Sequence, residues 1–198
     1  MKNQVLEPDT FFHFYNRGNN REVIFREDAN YLYFLQLVKK YLLPISDVYS
    51  YCLLPNHFHF VLRIKAEKEL PIEFKQGGKK LSQPLSNMFN AYAKAFNKKY
   101  SRRGSLFQEH PKRQKVDTKT YLRNLILYVN RNTSHYGIAE YESYPYSSYQ
   151  ALNSNGITML KRKEVIDLFD DVANFNTCLT EKDTIIESVR GLSLEDED

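Results

Sequence analysis

No apolar run in this 198-residue chain approaches the roughly 18 residues that a membrane-crossing helix needs. The N-terminus carries Glu7 and Asp9 and no apolar core segment, so a secretory leader is not expected. Cysteine is scarce. Cys52 and Cys178 lie far apart and match no zinc or redox spacing. They read as reduced thiols of a cytoplasmic protein, which argues against a cysteine-based metal site. Internal repeats are also missing.

What the chain does have is an uneven charge. Residues 1–150 hold 23 Lys and Arg against 13 Asp and Glu, a net +10, whereas residues 151–198 hold 5 against 11, a net −6. A basic body of one domain's size joined to an acidic extension points to a polyanionic partner for the body. We therefore place a domain over 1–150 and an acidic C-terminal extension over 151–198.

Periodicity orders the body. Phe11 to Asn16 reads as a strand ending in the turn-forming Arg17-Gly18-Asn19-Asn20. Asp28 is placed to cap a helix running to about Leu42, stopped by Pro44. Ile45–Leu53 and His57–Ile64 read as two strands around a Pro55-Asn56 turn, and residues 65–81 as a loop. A second helix is expected from Ser82 or Ser86 to about Tyr100, and a fourth strand from Ser105 to Val116. A third helix follows, with Asp117 as its expected cap. This order is the split βαβ pattern of a ferredoxin-like α+β fold, an antiparallel sheet with helices on one face. Two weak helices near 161–172 and 180–190 complete the chain.

Within that order, Tyr51-Cys52-Leu53-Leu54-Pro55-Asn56-His57-Phe58-His59-Phe60 carries the chemistry. In a strand, His57 and His59 project from one face and Phe58 and Phe60 from the other. Two imidazoles on a rigid strand supply part of a metal site, although a buried histidine is often only a core residue. His13 and His110 are spare histidines with little to mark them as ligands. On the third helix Tyr128 and Asn132 are four residues apart and share a face. Asn132 offers an oxygen suited to Mg²⁺ or Mn²⁺, and Tyr128 a hydroxyl able to attack a phosphodiester. Spacing alone leaves Tyr128 open between nucleophile and packing residue, because the chain has 15 tyrosines.

Five segments in order give the chain a family resemblance. They are Asn16-Arg17-Gly18-Asn19-Asn20-Arg21, the His57/His59 segment, Arg103-Gly104-Ser105-Leu106-Phe107-Gln108-Glu109, Tyr128-Val129-Asn130-Arg131-Asn132, and Tyr144-Pro145-Tyr146-Ser147-Ser148-Tyr149. Over about residues 10–150 the chain resembles the single-tyrosine HUH transposases, most closely their REP-associated tyrosine transposase branch. Thr133 stands where that family usually has proline, and Glu109 is followed by His110-Pro111. The resemblance implies a ferredoxin-like fold and cleavage of single-stranded DNA beside a REP-like hairpin through a 5′-phosphotyrosine bond. Tyr128 would be the nucleophile, with His57, His59 and Asn132 as ligands of Mg²⁺ or Mn²⁺. It also implies a prokaryotic, nucleoid-associated protein that works as a monomer or homodimer.

The expected DNA contacts are Arg17, Asn19 and Arg21 after the first strand. Lys94, Lys98, Arg102, Arg103, Lys112, Arg113 and Lys115 cluster around the second helix and fourth strand. Lysine and arginine neutralise phosphates, and asparagine and arginine read base edges. A hairpin-DNA-binding protein derived from such a transposase, without catalysis, is the alternative function.

Overall fold

Side-chain alternation in the strands sets the layers of this fold, which a computed structural model describes over residues 4–75, 78–108 and 111–181. Strand β1 (Phe11–Arg17) alternates Phe12 and Phe14 with His13, Tyr15 and Arg17. Strand β3 (His57–Ile64) alternates Phe58, Phe60 and Leu62 with His57, His59 and Val61. The two pair antiparallel with Phe14 opposite Phe60 and Tyr15 opposite His59. Opposed residues share a face, so one side of the sheet is phenyl and the other is imidazole and phenol.

Strand β2 (Ser46–Leu54) flanks β3, and β4 (Lys112–Val116) flanks β1, giving the order β2-β3-β1-β4 with every pair antiparallel. Helix α1 (Asp28–Leu37) follows β1 and α2 (Gln83–Lys99) follows β3, which is the expected split βαβ arrangement. Both cover the phenyl face. Phe34 of α1 packs 5.1 Å from Phe58, and Phe89 of α2 packs 5.9 Å from Phe14, between ring centroids. Helix α3 (Lys119–His135) lies instead on the opposite face, with Tyr128 6.0 Å from His59. Helices on one face thus describes α1 and α2 only. The rings of His13, Tyr15 and His59 need cover as much as the phenyl groups do, and α3 supplies it. With both faces covered, every residue of β2 is buried.

The Pro55-Asn56 turn falls where expected, with Leu54 opposite His57. Elsewhere the boundaries shift for local reasons. Thr118 rather than Asp117 caps α3, its Oγ1 accepting from the Tyr121 amide at 3.1 Å. Glu27 takes the cap position of α1, and Asp28 lies in the first turn, where the helix dipole favours an anion. The α-helix stops at Leu37 and widens into a π-turn over Val38–Leu42. Short 3-10 turns at Glu67–Glu69 and Ile72–Phe74 interrupt the 65–81 loop. Strand β4 is shorter than predicted: Phe107 makes only an isolated bridge to Gly18. Pro111 precedes β4, which is an edge strand and so tolerates a residue without an amide proton.

Helix α4 (Tyr149–Leu152) straddles the expected boundary, and the extension adds α5 (Arg162–Asp167) and α6 (Val172–Thr180). Leu160 of the extension bridges Val48 at the outer edge of β2, beside the bridge that Ser147 of the body makes to Cys52. A register shift between Val48 and Ser50 leaves Tyr49 unpaired in the ladder, and the Tyr49 hydroxyl donates to Glu164 on α5. Phe169, Phe175 and Leu179 are buried in the same core cluster as the sheet. Most of the helix expected near 180–190 lies outside the described residues.

Candidate active site

Strand β3 places His57 and His59 on one face, and that face lies under α3. Their rings are 5.3 Å apart and nearly perpendicular. The Nδ1 of His57 lies 2.7 Å from Asn56 Oδ1. A carboxamide oxygen only accepts, so Nδ1 donates and the neutral ring keeps its lone pair on Nε2. That Nε2 is buried with no hydrogen-bond partner among the described residues, and so is Nε2 of His59. The other nitrogen of His59, Nδ1, lies 2.9 Å from Nε2 of His13.

Burial holds all three imidazoles neutral. It lowers His13 and His57 from 6.5 to about 3, with the Arg17 guanidinium adding to the effect at His57. His59 falls well below its usual value by burial first, then by the proximity of His13, His57 and His135. A neutral ring is the form that binds a cation.

The register of α3 is fixed by a buried polar network. Asn130 donates to Ser50 Oγ (3.0 Å) and to the Ile126 carbonyl (2.8 Å), and its Oδ1 accepts from Ser148 Oγ (2.8 Å). Ser148 Oγ also lies 2.9 Å from Ser50 Oγ. With Asn130 pinned to β2, Tyr128 and Asn132 fall on the face turned to β3. Tyr128 is only 3% exposed; its ring contacts those of His59 and His135. Asn132 is fully buried, and its Nδ2 donates to the Tyr128 carbonyl at 2.7 Å. Its Oδ1 has no partner among the described residues. Thr133 does not end the helix, which runs on to His135.

Three donor atoms are therefore buried without partners: His57 Nε2, His59 Nε2 and Asn132 Oδ1. Two imidazole lone pairs and an amide oxygen fit a divalent cation such as Mg²⁺ or Mn²⁺. Among the described residues no three His, Cys, Asp or Glu side chains form a metal-binding group. Glu109 and His110 lie outside the described residues.

The basic residues divide between the two faces. Arg17 stands opposite His57 across β1 and β3, and Lys112 opposite Tyr15, so both flank the histidine face. Arg113 and Lys115 stand opposite Phe14 and Phe12, on the phenyl face. There Arg113 Nε donates to the Gln4 carbonyl at 2.5 Å, and Lys115 pairs with Glu7 at 3.1 Å. Lys94 and Lys98 are exposed on α2, as is Arg103 beyond it. Arg102 is a clamp: its guanidinium bonds Glu22, Asn97 Oδ1 and the carbonyls of Gly104 and Ser105.

The loop of Asn19 and Arg21 adjoins the histidine turn. Gly18 N donates to Asn56 O (2.8 Å), Asn19 N to Leu106 O (2.9 Å), and Ile24 N to Pro55 O (2.8 Å). Asn20 and Arg21 both have positive φ, 52° and 58°. Consecutive left-handed residues are costly for non-glycine types, and such strain gathers at functional sites.

Sequence reasoning passed over two parts of the site. His13 read as spare, although the alternation His13-x-Tyr15-x-Arg17 mirrors His57-x-His59 and was the available signal. Tyr136, whose ring is 4.7 Å from that of His57, had no distinguishing spacing.

Comparisons with known proteins set the fold in context. No protein-family model and no curated protein matches the chain. Among solved structures it is similar to a REP-associated tyrosine transposase bound to a REP hairpin. The TM-score is 0.55 and the identity 15%, over 80% of this chain and 87% of the other. At that identity the likeness is one of fold. Among the described residues no helix is long and apolar enough to cross a membrane.

Proposed function

We propose that this chain is a single-strand DNA nicking and joining enzyme, a transposase-like protein acting beside hairpin DNA with Tyr128 as its nucleophile. One observation carries the reading: Tyr128 packs against His59, where His57 and His59 both present buried, unpartnered Nε2 lone pairs. The shared fold with a hairpin-bound tyrosine transposase supports a nucleic-acid partner. REP-like hairpins with single-stranded flanks are the substrates this reading names.

In the reaction the Tyr128 oxygen attacks phosphorus, a 5′-phosphotyrosine bond forms, and the P–O3′ bond breaks. The leaving oxygen takes up a proton as the tyrosyl hydroxyl gives one up. One diester replaces another, so the step is reversible and needs no nucleotide hydrolysis. His57, His59 and Asn132 would hold Mg²⁺ or Mn²⁺, which when bound polarises the phosphate and stabilises charge in the transition state. Arg17 and Lys112, beside the histidine face, would hold flanking phosphates, while Asn19 and Arg21 reach the bases next to the hairpin.

The burial of Tyr128 favours a second reading, a hairpin-binding protein that does not cleave. The first reading requires the cover over Tyr128 to open when DNA enters. Labelled hairpin DNA with a single-stranded flank, incubated with Mg²⁺ or Mn²⁺ and run on a denaturing gel, separates the two. A covalent protein–DNA band that disappears in Tyr128→Phe is the expected result. Tight binding with no covalent band across many flank sequences establishes the second reading. His57→Ala combined with His59→Ala is expected to remove cleavage and leave hairpin binding within a few-fold of the parent; loss of both activities would make the histidines structural.

A further inference from the structure

We infer that His13 is the positioning residue of this site: by accepting a hydrogen bond from His59 Nδ1, it fixes the ring tautomer that leaves Nε2 bare on the face packed against Tyr128. The inference rests on the metal reading given above, but its core is a statement about protons in the protein alone.

The geometry is specific. His13 stands opposite Val61 and His59 opposite Tyr15, so the two histidines are diagonal neighbours on one face of the β1–β3 pair. Both are fully buried, and the Nε2–Nδ1 distance is 2.9 Å. The rings lie 17° from parallel, and Tyr15 stacks on both. This packing sets the ring planes, so the two rings share one hydrogen bond with one proton in it.

That proton has two possible owners. If His13 donates, His59 must carry its proton on Nε2, which makes no hydrogen bond among the described residues. The ring then offers no lone pair to a cation. If His59 donates, its Nε2 is a bare lone pair like that of His57, and the leftover N–H is moved to His13 Nδ1. There the surroundings favour it. Gln114 stands directly opposite His13 across β1 and β4, and its Oε1 is buried with no partner among the described residues. His13 Nδ1 is unpartnered there as well. A surplus donor beside a surplus acceptor, on facing residues, is a pair that one water or a small rotation joins. The second arrangement therefore sets the remaining donor on the residue that directly faces an unpartnered acceptor. It yields a relay from Gln114 through His13 to His59, the kind of outer support that orients metal-binding histidines.

The test starts on the metal-free full chain. In ¹⁵N-histidine-labelled protein, long-range ¹H–¹⁵N correlation spectra assign each tautomer. Expected are His59 with Nδ1 protonated and Nε2 bare, and His13 with Nε2 bare; a protonated His59 Nε2 overturns the inference. Mn²⁺ titration by calorimetry gives a second readout. His13→Leu is expected to bind Mn²⁺ about 10–100-fold more weakly, whereas His13→Gln, whose amide oxygen reaches the place of Nε2, recovers most of the affinity. Unchanged Mn²⁺ binding in a folded His13→Leu, or equal losses in both variants, overturns the role. Should His13→Leu fail to fold, the wild-type tautomers decide. Mn²⁺ binding that persists in His57→Ala sinks the metal reading instead, and leaves the tautomer measurement standing as a separate result.

Discussion

A proton added to His13, His57 or His59 in the folded chain would sit in apolar surroundings beside other rings and, at His57, beside a guanidinium. The unfolded chain imposes no such cost. Their folded values lie below the ordinary 6.5, at about 3 for His13 and His57, so below pH 6.5 the unfolded state binds more protons. Stability is fully present above about pH 6.5 and is lost as the pH falls from there toward 3. Each unit costs about 1.4 kcal/mol per ring, so the three rings together lose on the order of 3–4 kcal/mol between pH 7 and pH 5.5. That is a large share of a typical domain's stability. Thermal unfolding followed from pH 7.5 to 5 should show a falling Tm, and His57→Gln with His59→Gln should flatten the curve. A Tm constant over that range would mean that the rings are solvated. Gly18 sets a second residue-scale limit: a Cβ there would lie 2.0 Å from the Glu22 carbonyl oxygen. Gly18→Ala is expected to destabilise by about 1–3 kcal/mol, read as a lower denaturation midpoint, because the neighbour is backbone and cannot swing aside.

At the scale of elements, the third helix owes its position to Asn130 more than to its apolar stripe. Leu122, Leu125, Ile126 and Val129 are buried, yet apolar contacts tolerate sliding, whereas the Asn130–Ser50–Ser148 triangle permits one register. Asn130→Ala removes the bonds to Ser50 and Ser148 and leaves the two serines bonded to each other. The expected cost is about 1–3 kcal/mol, with a coupling of 0.5–3 kcal/mol to Ser148→Ala in a double-mutant cycle. Additive losses would show that the network does not act as a unit. This network also marks what a sequence can reveal. The start of β3 at His57 and the shared face of Tyr128 and Asn132 were legible, since each follows from a local period. The Ser148 link was not, because Ser50 and Ser148 are 98 positions apart and nothing local joins them. For His13 the local alternation placed the ring on a strand face, but its partner His59 is set by a cross-strand diagonal. Arg102 read as a DNA contact from its neighbours in sequence, while its clamp on Glu22 spans 80 positions.

For the whole molecule, the negative charge of the acidic extension is concentrated toward its end. Residues 182–198 hold two Lys and Arg against six Asp and Glu, a net −4, and all lie beyond the described residues. Truncation after Glu181 therefore keeps every described residue of the extension. It should tighten binding of a single-stranded DNA hairpin at low salt, since a net charge of −4 is removed. The gain should shrink as salt rises. Equal affinities at low salt would show that the acidic end does not oppose the basic body. A cut after Ala151, the natural choice if charge alone marks the boundary, asks a different question. It deletes Leu160, Val165, Phe169, Phe175 and Leu179, all buried in the core, and exposes the edge of β2 that Leu160 covers. Five buried apolar side chains at 1.5–3 kcal/mol each amount to roughly 7–15 kcal/mol, as much as a domain's whole stability. The expected product is unfolded or aggregated, detectable by circular dichroism and gel filtration. A cooperative melt from that fragment would show that the body folds without the extension, and that α5 and α6 only rest on it.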